Sequence, residues 1–219
     1  ERWFARRRAC GDAPTPAAGA PVVVLWPDTF TNHLAPEVGV DAVEVLEALG
    51  YDVRLPSGPV CCGLTWPSTG QLDMTRRALR RTLDALELDL AQGRRIIGLE
   101  PSCTVMLTEA SDLMPDDPRA QALHDAVTPF AQAVLDAPAA ATEAWPFGRL
   151  DVDATSQVHC HQQAKGSYAP DLEVLTRLGV DAHVVGGGCC GLAGNFGFEP
   201  GHYEVSTTLG ERSLFPAIR

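Results

Sequence analysis

A chain of 219 residues with a formal net charge of −11 repels polyanions, which excludes nucleic acid and anionic membrane surfaces as natural partners. No apolar run approaches the roughly 20 residues that span a bilayer, and no signal peptide is visible. The hydrophobic share of 45% is enough for one large core or two modest ones. The seven cysteines are odd in number and clustered, unlike a secreted disulfide framework. Reduced thiols in a cytoplasmic protein are expected, with any membrane association peripheral and made through partners. The chain begins with Glu1 rather than Met, so a piece of a longer protein is expected.

Residues 1–20 carry four arginines and then a stretch rich in Pro, Ala and Gly, and read as a solvated linker. Cys10 lies there without a partner nearby. Val22-Val23-Val24-Leu25-Trp26, stopped by Pro27, reads as a buried parallel strand. A polar loop, Asp28 to His33, leads to a helix from about Pro36 to Leu49, whose Val40, Val43, Leu46 and Leu49 keep helical spacing and which Gly50 ends. A second strand spans Tyr51 to Leu55. An amphipathic helix follows from Leu72 to about Leu90, with arginines at 76, 77, 80 and 81 on a solvated face. Arg95 to Leu99 makes a third strand, which delivers Glu100-Pro101-Ser102-Cys103 at its carboxyl end, where chemistry gathers in open α/β sheets.

Beyond a mostly helical connection, roughly Pro118 to Leu135, the pattern returns. Ser156 to Cys160 is strand-like, Pro170 to Leu178 is a helix closed by Gly179, and Val180 to Val185 is a strand. Leu49-Gly50-Tyr51-Asp52-Val53 matches Leu178-Gly179-Val180-Asp181-Ala182, and the cysteine pairs that follow fall within one residue of register. The echo implies an internal duplication and βαβ order in each half. The expected fold is α/β, with two pseudo-repeated α/β units built on short parallel sheets. The units are placed at residues 21–150 and 151–219.

Each unit carries an adjacent pair of cysteines followed by Gly-Leu: Cys61-Cys62-Gly63-Leu64 and Cys189-Cys190-Gly191-Leu192. Neighbouring side chains on extended backbone point to opposite faces, which suits packing poorly. A vicinal disulfide would need a strained ring. A polynuclear metal site fits better, because two thiolates can reach different metal atoms of one cluster while glycine lets backbone amides approach its sulfurs. Cys103 joins the first pair and Cys160 the second, so two trios are expected to converge: Cys61, Cys62 and Cys103, then Cys160, Cys189 and Cys190. Three thiolates are one short of the four that ordinary iron–sulfur clusters use. His33, His159 and His161 are candidates to complete a site.

A lone cysteine, then Cys-Cys-Gly, then a further cysteine, repeated twice, resembles the CCG or cysteine-rich domain. That domain occurs in heterodisulfide reductase, in the iron–sulfur subunits of glycolate and lactate oxidation systems, and at the carboxyl end of fused FAD-linked oxidases. Asp28 to Asn32, Cys61-Cys62-Gly63, Glu100 to Cys103 and Cys190 to Gly197 look most like the fused oxidases. The resemblance spans about residues 21–219. It implies that the six cysteines ligate iron–sulfur clusters of 4Fe–4S type. It also implies partners, an FAD-binding dehydrogenase domain or subunit and a ferredoxin-type domain, with the FAD held there and not on this chain.

The implied function is electron transfer in a flavin-dependent 2-hydroxy-acid oxidoreductase of lactate or glycolate type. It is expected to rest on the second trio, which keeps the leading cysteine. Alternatives are a thiol–disulfide redox enzyme like heterodisulfide reductase, or a structural zinc module using Cys160, Cys189, Cys190 and His161. Two departures from the family pattern stand out. The first repeat has Thr29 or Thr31 near the place of its leading cysteine, and the family's last cysteine would fall beyond Arg219, so the second unit is expected to be truncated at its carboxyl end.

Overall fold

The computed structural model describes residues 1–137, 145–194 and 196–219, which divide into two compact units, Glu1–Pro146 and Phe147–Arg219. No described helix is long and apolar enough to cross a membrane.

The first unit opens with helix α1, Arg2–Cys10, where a linker was expected. The arginines find anchors far along the chain. Arg7 pairs with Glu47 at 2.6 Å, Arg8 bonds Asp52 and the Val53 carbonyl, and Phe4 is buried. Gly11, at φ 77°, ends the helix in the left-handed region that glycine adopts without penalty.

Strand β1, Val22–Leu25, is followed by α2, Thr29–His33, α3, Pro36–Ala48, and β2, Asp52–Arg54. Then come α4, Leu72–Ala91, β3, Arg95–Gly98, α5, Pro101–Thr108, α6, Ala110–Leu113, and α7, Pro118–Ala126. The expected helical run to Leu135 is interrupted by β4, Val127–Pro129, before α8, Phe130–Leu135. Val127 and Thr128 are β-branched, and Pro129, which cannot donate to a ladder, is tolerated because β4 lies at the sheet edge.

All pairings are parallel and the strand order is β2-β1-β3-β4. Val23, Val24, Ile96 and Ile97 are sealed from water, as strands covered on both faces require. α4 sets Leu79, Leu83, Leu86 and Leu90 at helical spacing into the same core as Val24, Trp26, Ile96, Met106, Leu107 and Leu123. Because β2 and β3 flank β1 on opposite sides, the connections reverse direction there. The carboxyl ends of β1 and β3 therefore border the crevice where open α/β sheets bind their ligands.

The second unit holds a two-stranded parallel sheet of β5, Val152–Ser156, and β6, Val180–Val184. Between them lie α9, Cys160–Lys165, and α10, Ala169–Arg177; after them come α11, Tyr203–Gly210, and α12, Leu214–Ile218. Its strand lies earlier than the expected Ser156 to Cys160. The His159 ring nitrogen accepts the His161 amide and caps a helix there, so Cys160 opens α9 instead of closing a strand. The architecture is α/β with two repeated units on short parallel sheets.

Candidate metal centre

In the first unit the Cys-Cys-Gly loop lies along α4. The Thr82 hydroxyl is fully buried; it accepts the Cys61 amide at 3.1 Å and donates to the Cys61 carbonyl at 2.9 Å. Gly63 takes φ 80°, and a β-carbon there would meet Ala78 at 3.3 Å, so any other residue would be strained and would crowd α4. The turn aims the Gly63 amide at the Cys61 sulfur, 3.4 Å away. Cys62 points inward, 6% exposed, into the core beneath the sheet end, while Cys61 faces solvent.

Cys103 arrives from the other side on the first turn of α5. Glu100 caps that helix, its carboxylate accepting the amides of Ser102 at 3.1 Å and Cys103 at 2.6 Å. Thr104 donates its hydroxyl to the Glu100 carbonyl, and any β-carbon on Gly98 would strike that hydroxyl, so α5 sits hard against the end of β3. The result is a Cys62–Cys103 sulfur separation of 3.0 Å. Cys61, exposed and next to Cys62 in the chain, is the third thiol of the group, of which Cys62 and Cys103 are in direct contact.

The hydrogen bond to Cys103, with burial, pushes the Cys62 thiol up to about 12 against an opposing contribution from Cys61. The hydrogen bond to Cys62 and burial raise Cys61 as well. Metal-free, Cys61 and Cys62 are therefore held protonated at neutral pH, and a cation would take the place of those protons. Burial alone would raise Glu100, but the donors on Ser102 and Cys103 outweigh it and hold its carboxyl below the ordinary range.

The second unit repeats the backbone devices. Gly191, at φ 94°, aims its amide at the Cys189 sulfur, 3.3 Å away. Cys160 is exposed, and Cys189 and Cys190 are half-buried. No thiol–thiol hydrogen bond joins these three among the described residues, so the structure gathers this trio less closely than the first. Three buried polar atoms in this unit have no hydrogen-bond partner among the described residues: Gln157 Oε1, His161 Nδ1 and Ser213 Oγ. Gln157 and Ser213 both approach Gly188, beside Cys189. Unsatisfied polar atoms beside a cysteine pair fit a bound group that would partner them. His33 is exposed at the end of α2, and the Nδ1 of His159 is engaged as a cap.

Strand register identifies the residue of the first unit that stands where the second has Cys160. Taking Gly50 and Gly179 as equivalent, Asp52 pairs with Val22 and Asp181 with Asp153, so Val22 corresponds to Asp153. Counting on from there, Asp28 corresponds to His159 and Thr29 to Cys160. The helix caps agree, since Asp28 caps α2 as His159 caps α9. Thr31 is excluded, because its hydroxyl is bonded to Asp28 at 2.5 Å. Sequence reasoning missed the roles of Thr82 and Glu100. The Glu100-Pro101-Ser102 string was the available signal, since an acidic residue ahead of proline marks a helix start.

Thiols gathered beyond the carboxyl ends of parallel strands, with amides turned toward sulfur, define a cysteine-rich α/β domain. Residues 28–108, which include Cys61, Cys62 and Cys103, match the cysteine-rich domain family CCG. The chain is 30% identical over 188 residues to lactate utilization protein A of Bacillus velezensis, covering 80% of this chain and 74% of that protein. It is 28% identical over 189 residues to the protein of the same name from Exiguobacterium, at 80% and 73% coverage. Against the C subunit of the anaerobic glycerol-3-phosphate dehydrogenase of Escherichia coli K12 the identity is 27% over 192 residues. That match takes in 86% of this chain and 48% of the relative, so the chain spans about half of that protein's length. The chain belongs to the CCG cysteine-rich domain family.

Proposed function

We propose that the chain is the iron–sulfur electron-transfer part of a flavin-dependent oxidoreductase acting on a 2-hydroxy acid of lactate or glycolate type. The observation that carries this reading is the contact of the Cys62 and Cys103 sulfurs, with Cys61 next to Cys62 in the chain, at the carboxyl end of the first sheet. Soft thiolates are the donors that iron–sulfur clusters require, and the Gly63 and Gly191 amides supply hydrogen bonds to sulfur of the kind that set a cluster's potential. Cys61, Cys62 and Cys103 would hold a cluster of 4Fe–4S type in the first unit, and Cys160, Cys189 and Cys190 one in the second, with His161 beside it. Bound there, a cluster supplies one-electron transfer. The chain's own contribution is to hold the thiols, to keep water from the buried side of Cys62, and to present amide dipoles.

The names of the relatives support the reaction class. Lactate and glycerol 3-phosphate are both secondary alcohols, and their oxidation releases electron pairs that a flavin can accept and pass on singly. The flavin belongs on a partner dehydrogenase domain or subunit, with a ferredoxin-type domain alongside, and the net charge of −11 fits a soluble, peripheral partnership better than direct contact with anionic lipid.

A structural zinc is less well supported. Zinc–sulfur bonds of about 2.3 Å in a tetrahedron bring every sulfur pair to about 3.8 Å. Among the described residues, the three-ligand set lying mutually within 4.8 Å is Asp153, Asp181 and His183, so neither cysteine trio closes that far.

The test uses the assembled oxidoreductase. Cys62→Ser, or Cys189→Ser with Cys190→Ser, is expected to stop reduction of the electron acceptor while substrate still reduces the flavin. Survival of both half-reactions in every variant would overturn the assignment.

A further inference from the structure

We propose that Cys62 and Cys103 form a reversible disulfide in the metal-free chain, a thiol latch confined to the first unit. This stands on geometry alone and does not depend on the electron-transfer reading. The two sulfurs lie 3.0 Å apart, and a disulfide needs them to close by about 1 Å, to the usual 2.03–2.05 Å. Their backbones are fixed from different directions. Thr82 straps the Cys-Cys-Gly loop to α4, and the Glu100 cap pins the first turn of α5. Held from both sides, each thiol has a high effective concentration at the other.

The competing pairings are worse placed. Joining Cys61 to Cys62 needs a strained ring between adjacent residues. Cys61 also faces solvent, with its sulfur toward the Gly63 amide. In the second unit no thiol–thiol hydrogen bond links Cys160, Cys189 and Cys190 among the described residues, so that unit serves as an internal control.

The oxidant is a low-molecular-weight disulfide such as oxidised glutathione. The Cys103 thiolate attacks one of its sulfurs and breaks the sulfur–sulfur bond. The first glutathione leaves as thiolate and takes up the proton that Cys103 lost. The Cys62 sulfur then attacks the Cys103 sulfur of the mixed disulfide, and the second glutathione leaves, taking the Cys62 proton. Two protein thiols are oxidised and one glutathione disulfide is reduced to two thiols. Closed, the latch withholds two of the three sulfurs from any metal and shields them from oxidation beyond the disulfide. A dithiol reopens it.

To test this, the reduced, metal-stripped chain is incubated with oxidised glutathione, alkylated, and digested with trypsin without reduction. The expected product joins residues 55–76 to residues 96–119, two hydrogens lighter than the separate peptides, and dithiothreitol separates it. This product should exceed every other cysteine pairing at least ~10-fold, as proximity demands. Cys61→Ser should keep the link, which places it on Cys62, and Cys103→Ser should abolish it. A dominant Cys61–Cys62 or Cys61–Cys103 link would overturn the proposal. So would glutathione adducts on all three cysteines with no crosslink.

Discussion

The two units use the same backbone to hold different side chains. In both, a helix ends on a left-handed glycine, Gly50 or Gly179, at φ 94° and 76°. In both, a capped short helix follows the first strand, and a second left-handed glycine turns its amide onto the first sulfur of a cysteine pair. The occupants differ. The first unit has Thr29 where the second has Cys160, buries Cys62 in a core shared with β1 and β3, and adds Cys103. The second has two strands, and none of the described residues of α10 is buried. The two units thus share the frame that each needs in order to fold, while the side chains set on it differ. The residues that hold a loop in shape are not the ones that decide what the loop binds.

Substitutions at matched positions test that separation, and the largest effect is expected in the cores. Leu83→Ala, on a fully buried α4 residue, should cost about 2–5 kcal/mol, whereas Leu175→Ala on half-exposed α10 should cost about 1 kcal/mol or less. Urea denaturation of the two variants measures the difference, and equal costs would mean that the second unit has a comparable core.

The turning glycines come next. Gly191→Ala places a β-carbon 2.2 Å from the Ser206 carbonyl oxygen, a backbone atom, in addition to the left-handed strain. Roughly 3 kcal/mol is expected there, against about 1–2 kcal/mol for Gly63→Ala, whose nearest neighbour is the Ala78 methyl at 3.3 Å. Thermal melting should rank them in that order. The caps are smaller still. Asp28→Ala removes an acceptor for the Thr31 amide and hydroxyl and should cost about 1 kcal/mol.

The smallest stability change and the sharpest functional one belong to Thr29→Cys. It is expected to shift stability by less than about 0.5 kcal/mol. It should nonetheless raise the iron retained by the first unit after anaerobic reconstitution, measured by iron and sulfide content after gel filtration. Unchanged iron would mean that Thr29 is not at the site.

How much of this was legible follows from where each signal lies along the chain. The strands at Val22–Leu25 and Arg95–Gly98, and the leucines of α4, are written as local runs and periods, so the sheet and its covering helix could be read directly. α1 could not, because its arginines are ordered by Glu47 and Asp52, dozens of residues away. β4 is only Val127–Pro129, too short for a period to emerge beside the helical pattern of α7. Ser156 to Cys160 carried the composition of a strand, but His159 caps the helix that Cys160 begins, so Cys160 is held by helix geometry.

The site divides the same way. Adjacent cysteines announce themselves in sequence, and the place of Cys103 at a strand's carboxyl end followed from topology. The clamp by Thr82 and the choice of Thr29 over Thr31 needed strand register and tertiary contact, which no local pattern encodes.

The central claim is that these thiols hold an iron–sulfur cluster, and anaerobic reconstitution with iron and sulfide tests it most directly. Wild-type protein should be compared with Cys61, Cys62 and Cys103 all changed to Ser, and separately with Cys160, Cys189 and Cys190 all changed to Ser. The wild type is expected to develop a visible chromophore that dithionite bleaches, each triple variant to lose part of the bound iron, and all six changes together to lose the chromophore. A chromophore that persists through all six substitutions, or a reduced wild type that takes up no iron, would contradict the account.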